Sequence, residues 1–323
     1  MATPTSWPWR STFTLAQKKQ GNGKALTVDA STLRRVELNF AHPTPSLLNN
    51  QVLRVKHFAH YIKRTVVTAG GSSPVRGLPF AELQSEDQGF SSPIYHSVPL
   101  NSGVASRVRV GDTIWLFSQL GSPWGSLPPA LDGKIEVGEV AKSQGKAGRY
   151  RFGASGNSKW YPLFSAIELA GELNAIDAQG HSRHLLNTPR TAIGQALQFL
   201  REIADPAPLF KHAARVEEMA PDFISYRMVD GTRMAFELAT RLLDNQRAVF
   251  WDRWSLPRRL AERDEHVAAM ALDAHITATI EHARIVWGVH SERYALAGTY
   301  SKLEKDWAER LGKFRAYPPL AED

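Results

Sequence analysis

Hydroxyl and guanidinium side chains directly follow a short apolar segment in the second half of the chain. Phe223 and Ile224 are the apolar pair, and Ser225, Tyr226 and Arg227 come next. This order predicts a buried strand that ends in a polar loop. Parallel α/β sheets bind ligands beyond the carboxyl ends of their strands. These polar side chains are therefore candidate ligand-binding groups.

A second candidate is the arginine pair Arg258 and Arg259, which follows Pro257. Guanidinium groups meet phosphate oxygens in a fork geometry, and the proline stiffens the loop by fixing its φ angle. The pair could bind the phosphates of a ligand. For either arginine taken alone, an ordinary solvated basic loop is an equally good explanation.

The spacing of apolar residues predicts the elements that position these groups. Residues 234–243 have the apolar spacing of one helix face, and residues 248–251 form an apolar run that ends in Asp252. A second amphipathic helix over residues 272–283 leads into a third apolar run at residues 283–289. This strand, helix, strand order is that of a parallel α/β sheet.

Composition indicates a globular cytoplasmic protein. The chain has 323 residues, of which 43% are hydrophobic and 22% charged. No apolar run approaches the ~20 residues that span a bilayer, so we expect no membrane association. The N-terminus does not have the pattern of a secretory signal. There are no cysteines, which excludes disulfides and thiolate metal sites. We expect no bound metal and no bound cofactor.

Charge and proline content predict a boundary between two domains. Residues 1–205 contain 22 Lys and Arg against 14 Asp and Glu, whereas residues 206–323 contain 17 against 18. The prolines of residues 205–208 would end a helix. We therefore expect a recognition domain at 1–205, a linker at 206–217 and a second domain at 218–323. The basic domain could bind a nucleotide or nucleic acid, or could simply have a solvated basic surface.

The first domain is expected to be mainly β or α+β. Residues 113–117 and 134–140 are β-rich runs. Val-Gly-Asp-Thr-Ile-Trp-Leu-Phe followed by Ile-Glu-Val-Gly-Glu-Val resembles a PUA-like barrel of the EVE or ASCH kind, over residues 105–203. Such domains bind bases between aromatic side chains. The resemblance implies an aromatic cage, whereas filling a small barrel core is the commoner role of such rings. The residues concerned are Trp115, Trp124, Trp160 and Tyr161.

Residues 218–307 resemble a bacterial Toll/interleukin-1 receptor (TIR) domain. The motifs are Phe-Ile-Ser-Tyr-Arg-x-x-Asp from Phe223, then Val-Phe-Trp-Asp, then Ser291-x-x-Tyr294. The resemblance implies a TIR-like parallel sheet. It also implies a substrate pocket lined by Phe223, Ser225, Tyr226 and Arg227. In this family the loop after the second strand controls access to the site and mediates self-association. Here that loop would present Trp254 and Arg258.

The same resemblance implies that Glu304 is catalytic. TIR domains commonly have Trp-Cys-x-x-Glu where this chain has Tyr300, Ser301 and Glu304, and in the members that cleave NAD⁺ the glutamate is essential. Nicotinamide leaves as a neutral molecule, so one carboxylate that stabilises the oxocarbenium-like ribose can suffice. NAD⁺ would be the substrate, and Tyr300 could hold its nicotinamide ring. After Glu304, residues 305–323 show no convincing strand, so either the sheet is short or another part of the chain covers its open edge.

Three interpretations follow. The favoured one is an NAD⁺ glycohydrolase, acting by hydrolysis or cyclisation, that serves as a TIR effector of a bacterial defence system. Its N-terminal domain would sense a nucleotide or nucleic acid, and activity would require self-association of the TIR domains. The second is a TIR adaptor without enzymatic activity. The third is a nucleic-acid-binding module in which the TIR domain only oligomerises.

Overall fold

Two large β-sheets, a two-stranded hairpin and the helices around them form the part of the chain that the structure describes. The structure is a computed structural model, and it describes residues 55–68, 80–83, 89, 92–143, 148–186, 193–255, 265–296 and 298–318. These residues belong to one compact unit, Leu53–Asp323. In the described ranges, no helix is both long enough and apolar enough to cross a membrane.

The first sheet is mixed and has nine strands. They are β1 His57–Thr68, β2 Phe80–Leu83, β3 Tyr95–Pro99, β4 Thr113–Ser122, β5 Gly125–Ser126, β6 Ala130–Lys142, β7 Arg149–Ala154, β8 Lys159–Trp160 and β11 Arg201–Glu202. The main path runs in the order β11-β1-β4-β6-β7-β3, and β1 is parallel to β4 whereas the other pairs are antiparallel. The strands expected at 113–117 and 134–140 are confirmed as parts of β4 and β6.

Strand β4 is buried on both faces, because an apolar cluster covers each side of the sheet at this strand. Ile114 and Leu116 pack into one apolar cluster, while Trp115 and Phe117 pack into another. Since successive side chains of a strand point to opposite faces, this apolar run of consecutive residues is explained by two covered faces. The remaining elements of this half of the chain are a 3₁₀ turn Ala105–Arg107, α1 Ile167–Glu172, the pair β9 Asn174–Ile176 and β10 Ser182–His184, and α2 Ile193–Ala196.

The second sheet is fully parallel, as the strand–helix–strand order predicts. Its strands are β12 Asp222–Ser225, β13 Val249–Phe250, β14 Ile285–Val289 and β15 Phe314–Tyr317, in the order β13-β12-β14-β15. Around it lie α3 Ala207–Glu218, α4 Thr232–Asp244, α5 Asp252–Ser255, α6 Glu265–His282 and α7 Tyr300–Arg310. The apolar faces expected for residues 234–243 and 272–283 pack against this sheet.

Strand β15 corrects the expectation that no strand follows Glu304. Its four residues pair in parallel with β14, and Phe314 packs with Ala308 and Val286. The strand is too short for an alternating pattern to show in the sequence. It extends the sheet on the side of β14.

Asp222 fixes the amino end of the second sheet. Its side chain is fully buried. Both of its oxygens accept hydrogen bonds from Arg284, at 2.9 and 2.7 Å, and one also accepts from the Trp287 indole at 3.1 Å. A buried carboxylate requires such partners. The acidic residue that opens the motif therefore has a structural role, far from the carboxyl ends of the strands.

The expected boundary at residues 205–208 does not separate two cores. One apolar cluster contains Leu120, Leu127 and Leu163 from the first half together with Ile224 and Trp251 from the second. The backbones of Leu163 and Val249 also exchange two hydrogen bonds, at 3.0 and 2.8 Å, so residue 163 covers the β13 edge of the second sheet.

The expected linker at 206–217 is helix α3, which is part of a core. Its residues Leu209, Ala213 and Val216 are buried in the cluster that also contains Phe117 and Ala248. The prolines that suggested a break lie instead at the start of this helix, where proline is well tolerated. The structure therefore differs from the sequence-based domain assignment in both the linker and the separateness of the cores.

This shared core leads to a first prediction. Residues 1–205 expressed alone are expected to be insoluble or to unfold without a cooperative transition, because Leu120, Leu127 and Leu163 would lose their apolar partners. Co-expression with residues 206–323 should restore solubility. Sedimentation and thermal unfolding measure both outcomes. A soluble 1–205 fragment with one sharp transition would contradict the prediction.

Candidate active site

The carboxyl ends of β12, β13 and β14 bring the candidate residues together. Ser225 is the last residue of β12 and is in register with Gly288 of β14. Asp252 lies two residues after β13, at the first position of α5. Because the three strands are parallel, these positions all lie at the carboxyl-terminal edge of the sheet, the side formed by the ends of the strands, where α/β proteins bind ligands.

Helix α7 carries Glu304 to the same edge. The hydroxyl of Thr299 caps the helix by accepting a hydrogen bond from the Lys302 amide at 3.3 Å. One turn later, Glu304 Oε2 accepts a hydrogen bond of 2.7 Å from Ser225 Oγ. The structure thus joins two of the predicted site residues, although 79 positions separate them in the chain.

Tyr294 extends this hydrogen-bonded chain, and sequence reasoning did not place it among the site residues. Its hydroxyl donates to Ser225 Oγ at 3.1 Å, so the order of donation is Tyr294 to Ser225 to Glu304. Gly288 makes room for this contact, because a Cβ there would lie 2.6 Å from the Tyr294 oxygen and 2.4 Å from the ring of Phe314. The Ser291-x-x-Tyr294 motif was the sequence signal that could have identified Tyr294 as a site residue.

A second polar cluster consists of Tyr226, Asp252 and Arg253. The Tyr226 hydroxyl donates to Asp252 Oδ1 at 2.7 Å and accepts from Arg253 Nε at 2.8 Å. Tyr226 and Arg253 are both buried. Asp252 was missed as a site residue, although an aspartate directly after an apolar run was visible in the sequence. The hydroxyl of Tyr226 is therefore engaged in hydrogen bonds to Asp252 and Arg253.

The environment of Glu304 favours its neutral form. Burial of the carboxyl group raises its pKa to about 7, and the nearby negative charge of Asp252 also raises it. The hydrogen bond from Ser225 acts in the opposite direction, because it stabilises the carboxylate. Glu304 can therefore hold or release a proton near neutral pH.

This raised pKa predicts how the stability of the protein depends on pH. Between the ordinary pKa of 4.5 and the folded value of about 7, the folded chain binds more protons at Glu304 than the unfolded chain does. The stabilising contribution of this group is therefore full below 4.5 and is lost as pH rises through about 7. The melting temperature of Glu304→Gln minus that of the parent should therefore be a few degrees larger at about pH 8 than at about pH 5. A difference in melting temperature that is the same at both pH values would contradict this.

A further pair of bonds ties the loops after β12 and β14. Asp230 accepts hydrogen bonds of 2.8 Å from the Ser291 hydroxyl and of 2.8 Å from the Arg293 amide. Arg227, also in the first loop, is partly buried, and its Nε has no hydrogen-bond partner among the described residues. A buried guanidinium N–H without a partner is suited to an anionic ligand.

Two of the other predicted residues make their contacts elsewhere, and a third lies outside the described residues. Phe223 is buried in the core, stacked on Phe250 with ring centroids 4.9 Å apart. Tyr300 is exposed and donates a hydrogen bond of 3.0 Å to Asp273. Burial of its hydroxyl and the hydrogen bond to Asp273 raise the pKa of Tyr300 to about 12. Arg258 lies outside the described residues.

Trp254 corrects the expectation of an exposed contact loop. Its side chain is 1% exposed and packs in the cluster that contains Leu120 and Leu163. The large apolar ring fills the core between the two sheets, so it presents no surface for self-association or for contact with a ligand.

The four aromatic residues of the expected cage are not gathered at one place. Trp115 and Tyr161 are buried in one apolar cluster, Trp124 packs against a second, and Trp160 against a third. Trp124 lies beside Phe236 of α4, with ring centroids 5.8 Å apart. In this structure the rings contribute to cores, which was the alternative that the sequence left open.

Among the described residues, no group of three or more His, Asp or Glu side chains is arranged to hold a metal ion.

Comparison with known proteins identified no relative: no family model matches the chain, and neither the curated proteins nor the solved structures gave a match.

Proposed function

We propose that the chain cleaves the bond between nicotinamide and ribose in NAD⁺, with Glu304 as the catalytic carboxylate. The observation that carries the proposal is the Tyr294–Ser225–Glu304 hydrogen-bonded chain at the carboxyl edge of a parallel sheet. The sequence resemblance to TIR domains supports it, because the aligned glutamate is the essential residue of their NAD⁺-cleaving members.

The chemistry fits one carboxylate in a partly buried setting. When the bond between ribose C1′ and the nicotinamide nitrogen breaks, its electron pair goes to the ring nitrogen, and nicotinamide leaves as a neutral molecule. The ribose is then an oxocarbenium-like cation. The ionised Glu304 would stabilise this charge more strongly than it would in water, because it is partly shielded from solvent. Water, or a nucleophilic group of the nucleotide itself, then attacks C1′ and loses its proton.

Other groups at the edge have roles in this proposal. Ser225 and Tyr294 orient the carboxylate through hydrogen bonds. Asp252 adds a second negative charge that favours a cationic transition state. Arg227, with its buried Nε, would contact the diphosphate. The buried position of Trp254 means that any self-association would use another surface.

The experiment is incubation of the purified full-length chain with NAD⁺, followed by chromatography of the products. Free nicotinamide with ADP-ribose or a cyclic product is expected, with a rate that rises as pH passes upward through about 7 because the ionised form of Glu304 is the active one. The absence of free nicotinamide at any protein concentration and pH would contradict the proposal. If the rate per molecule rises steeply with protein concentration, activity requires self-association.

A second candidate function is nucleic-acid binding by the first sheet. The feature that favours it is the set of basic and aromatic side chains on β7 and β3. Arg149 and Arg151 are exposed on β7, and the Arg151 guanidinium stacks 3.9 Å from the ring centroid of Tyr95 on β3. Basic and aromatic side chains on one sheet face are typical of single-strand binding. A mobility shift with single-stranded DNA or RNA that weakens as salt increases would support it. Together the two functions describe a cytoplasmic defence effector that is switched on by a nucleic acid or nucleotide.

A further inference from the structure

We infer that Arg64, on the first sheet, is a positioning residue for the site on the second sheet: it holds α5 through Trp254 and thereby fixes Asp252 beside Glu304. The guanidinium carbon of Arg64 lies 4.8 Å from the centroid of the Trp254 ring. This contact joins α5, which carries Asp252, to strand β1, which lies almost 200 positions earlier in the chain. For its effect on reaction rate, the inference rests on the proposed function.

Arg64 is itself held in place by a buried network. Its Nη1 lies 2.9 Å from Asp132 Oδ1, and Asp132 Oδ2 accepts a hydrogen bond of 2.7 Å from Ser118 Oγ. The side chain of Arg64 is only 12% exposed and that of Asp132 is 7% exposed. The three residues come from β1, β4 and β6, so the guanidinium group is fixed relative to the body of the first sheet.

Trp254 transmits this position to the site. A cation over an indole ring is attracted to its face, more strongly when water is excluded, and Trp254 is 1% exposed. Its indole also donates a hydrogen bond to the Tyr161 carbonyl at 3.4 Å. Trp254 and Asp252 lie in the same four-residue helix. A shift of the indole therefore shifts the Asp252 carboxylate and its bond to Tyr226.

The expected consequence is a change in the titration of Glu304. Several groups influence this carboxyl or are influenced by its charge: Ser225 from β12, Asp252 from α5, Tyr294 from the loop after β14 and Tyr300 from α7 itself. Of these, only Asp252 lies on the helix that Arg64 holds. If α5 loosens, the Asp252 charge moves away and water enters, and both changes lower the pKa of Glu304.

The test measures the Glu304 carboxyl directly in the full chain. The carboxyl carbon of Glu304 is followed by NMR in protein labelled at glutamate, and its signal is assigned by its absence in Glu304→Gln. In Arg64→Met the pKa is expected to fall from about 7 toward the ordinary 4.5. Arg64→Lys keeps a cation and should retain most of the parent behaviour. Lys63→Met changes an exposed neighbour on the same strand and should have no effect.

Arg64→Met leaves Asp132 buried without its cation and could fail to fold. The double variant Arg64→Met/Asp132→Asn removes both charges, and the asparagine can still bond Ser118, so it decides the question in that case. An unchanged Glu304 titration in the folded Arg64 variant would overturn the inference.

The rate of NAD⁺ cleavage gives a second readout. At about pH 8.5, where Glu304 is largely ionised in both proteins, kcat of the Arg64→Met variant is expected to fall about tenfold with little change in KM, because the catalytic geometry is altered and the substrate contacts are kept. If the parent protein releases no nicotinamide, the proposed function fails, and the NMR titration still decides whether Arg64 positions α5.

Discussion

Glu304→Gln is expected to lower the rate of nicotinamide release from NAD⁺ by at least ~10²-fold, while the protein folds as the parent does. The amide has nearly the same shape and can still accept a hydrogen bond from Ser225, which lies 2.7 Å from Oε2. It has no negative charge with which to stabilise the ribose cation. The loss should therefore appear in kcat, with KM for NAD⁺ nearly unchanged.

The matched control is Glu309→Gln, which removes a carboxylate from the same helix at an exposed position. It should keep nearly the parent rate, because Glu309 lies on the last turn of α7, is exposed and pairs with the Lys305 ammonium. Chromatography of nicotinamide measures both variants under the same conditions. Release at the parent rate by Glu304→Gln would show that Glu304 is not the catalytic group.

The parallel sheet could be predicted because its signals are local. Apolar runs at residues 248–251 and 283–289 alternate with amphipathic helices, and the structure has strands and helices there. Ser225 could be placed at the site for the same reason, since it directly follows an apolar pair. Glu304 required the motif resemblance, because an isolated glutamate on a helix is more often solvated.

The parts that could not be predicted depend on tertiary contacts. Asp252 becomes a site residue only because Tyr226 donates to it and because α7 brings Glu304 near. Arg64 and Asp132 are 68 positions apart, and nothing local marks them as partners. The prediction that Trp254 is exposed was wrong for a related reason. A tryptophan in a basic loop suggests a surface contact, whereas residues of the neighbouring sheet cover this one.

Gly288→Ala is expected to impair both the site and the fold, although it adds one methyl group. The new Cβ would lie 2.4 Å from the Phe314 ring and 2.6 Å from the Tyr294 hydroxyl oxygen. Contacts this short force one or both side chains to move. Movement of Tyr294 breaks its hydrogen bond to Ser225, and Ser225 then no longer holds Glu304 in one orientation. Misplacement of a catalytic group by about 1 Å can cost roughly 10²-fold in rate.

The expected result is therefore a fall of roughly 10- to 10²-fold in kcat for NAD⁺ cleavage and a destabilisation of about 1–3 kcal/mol. Stability is measured by urea unfolding and the rate by nicotinamide release at a temperature where the variant is fully folded. Gly171→Ala is the control, because a Cβ at this position of α1 meets nothing within 4 Å and alanine is the better helix former. It should leave the rate unchanged and should not destabilise the protein. If Gly288→Ala were as active and as stable as Gly171→Ala, the close approach of Tyr294 and Phe314 to the β14 backbone would not be the feature that positions Ser225, and the orientation of Glu304 would have to come from α7 alone.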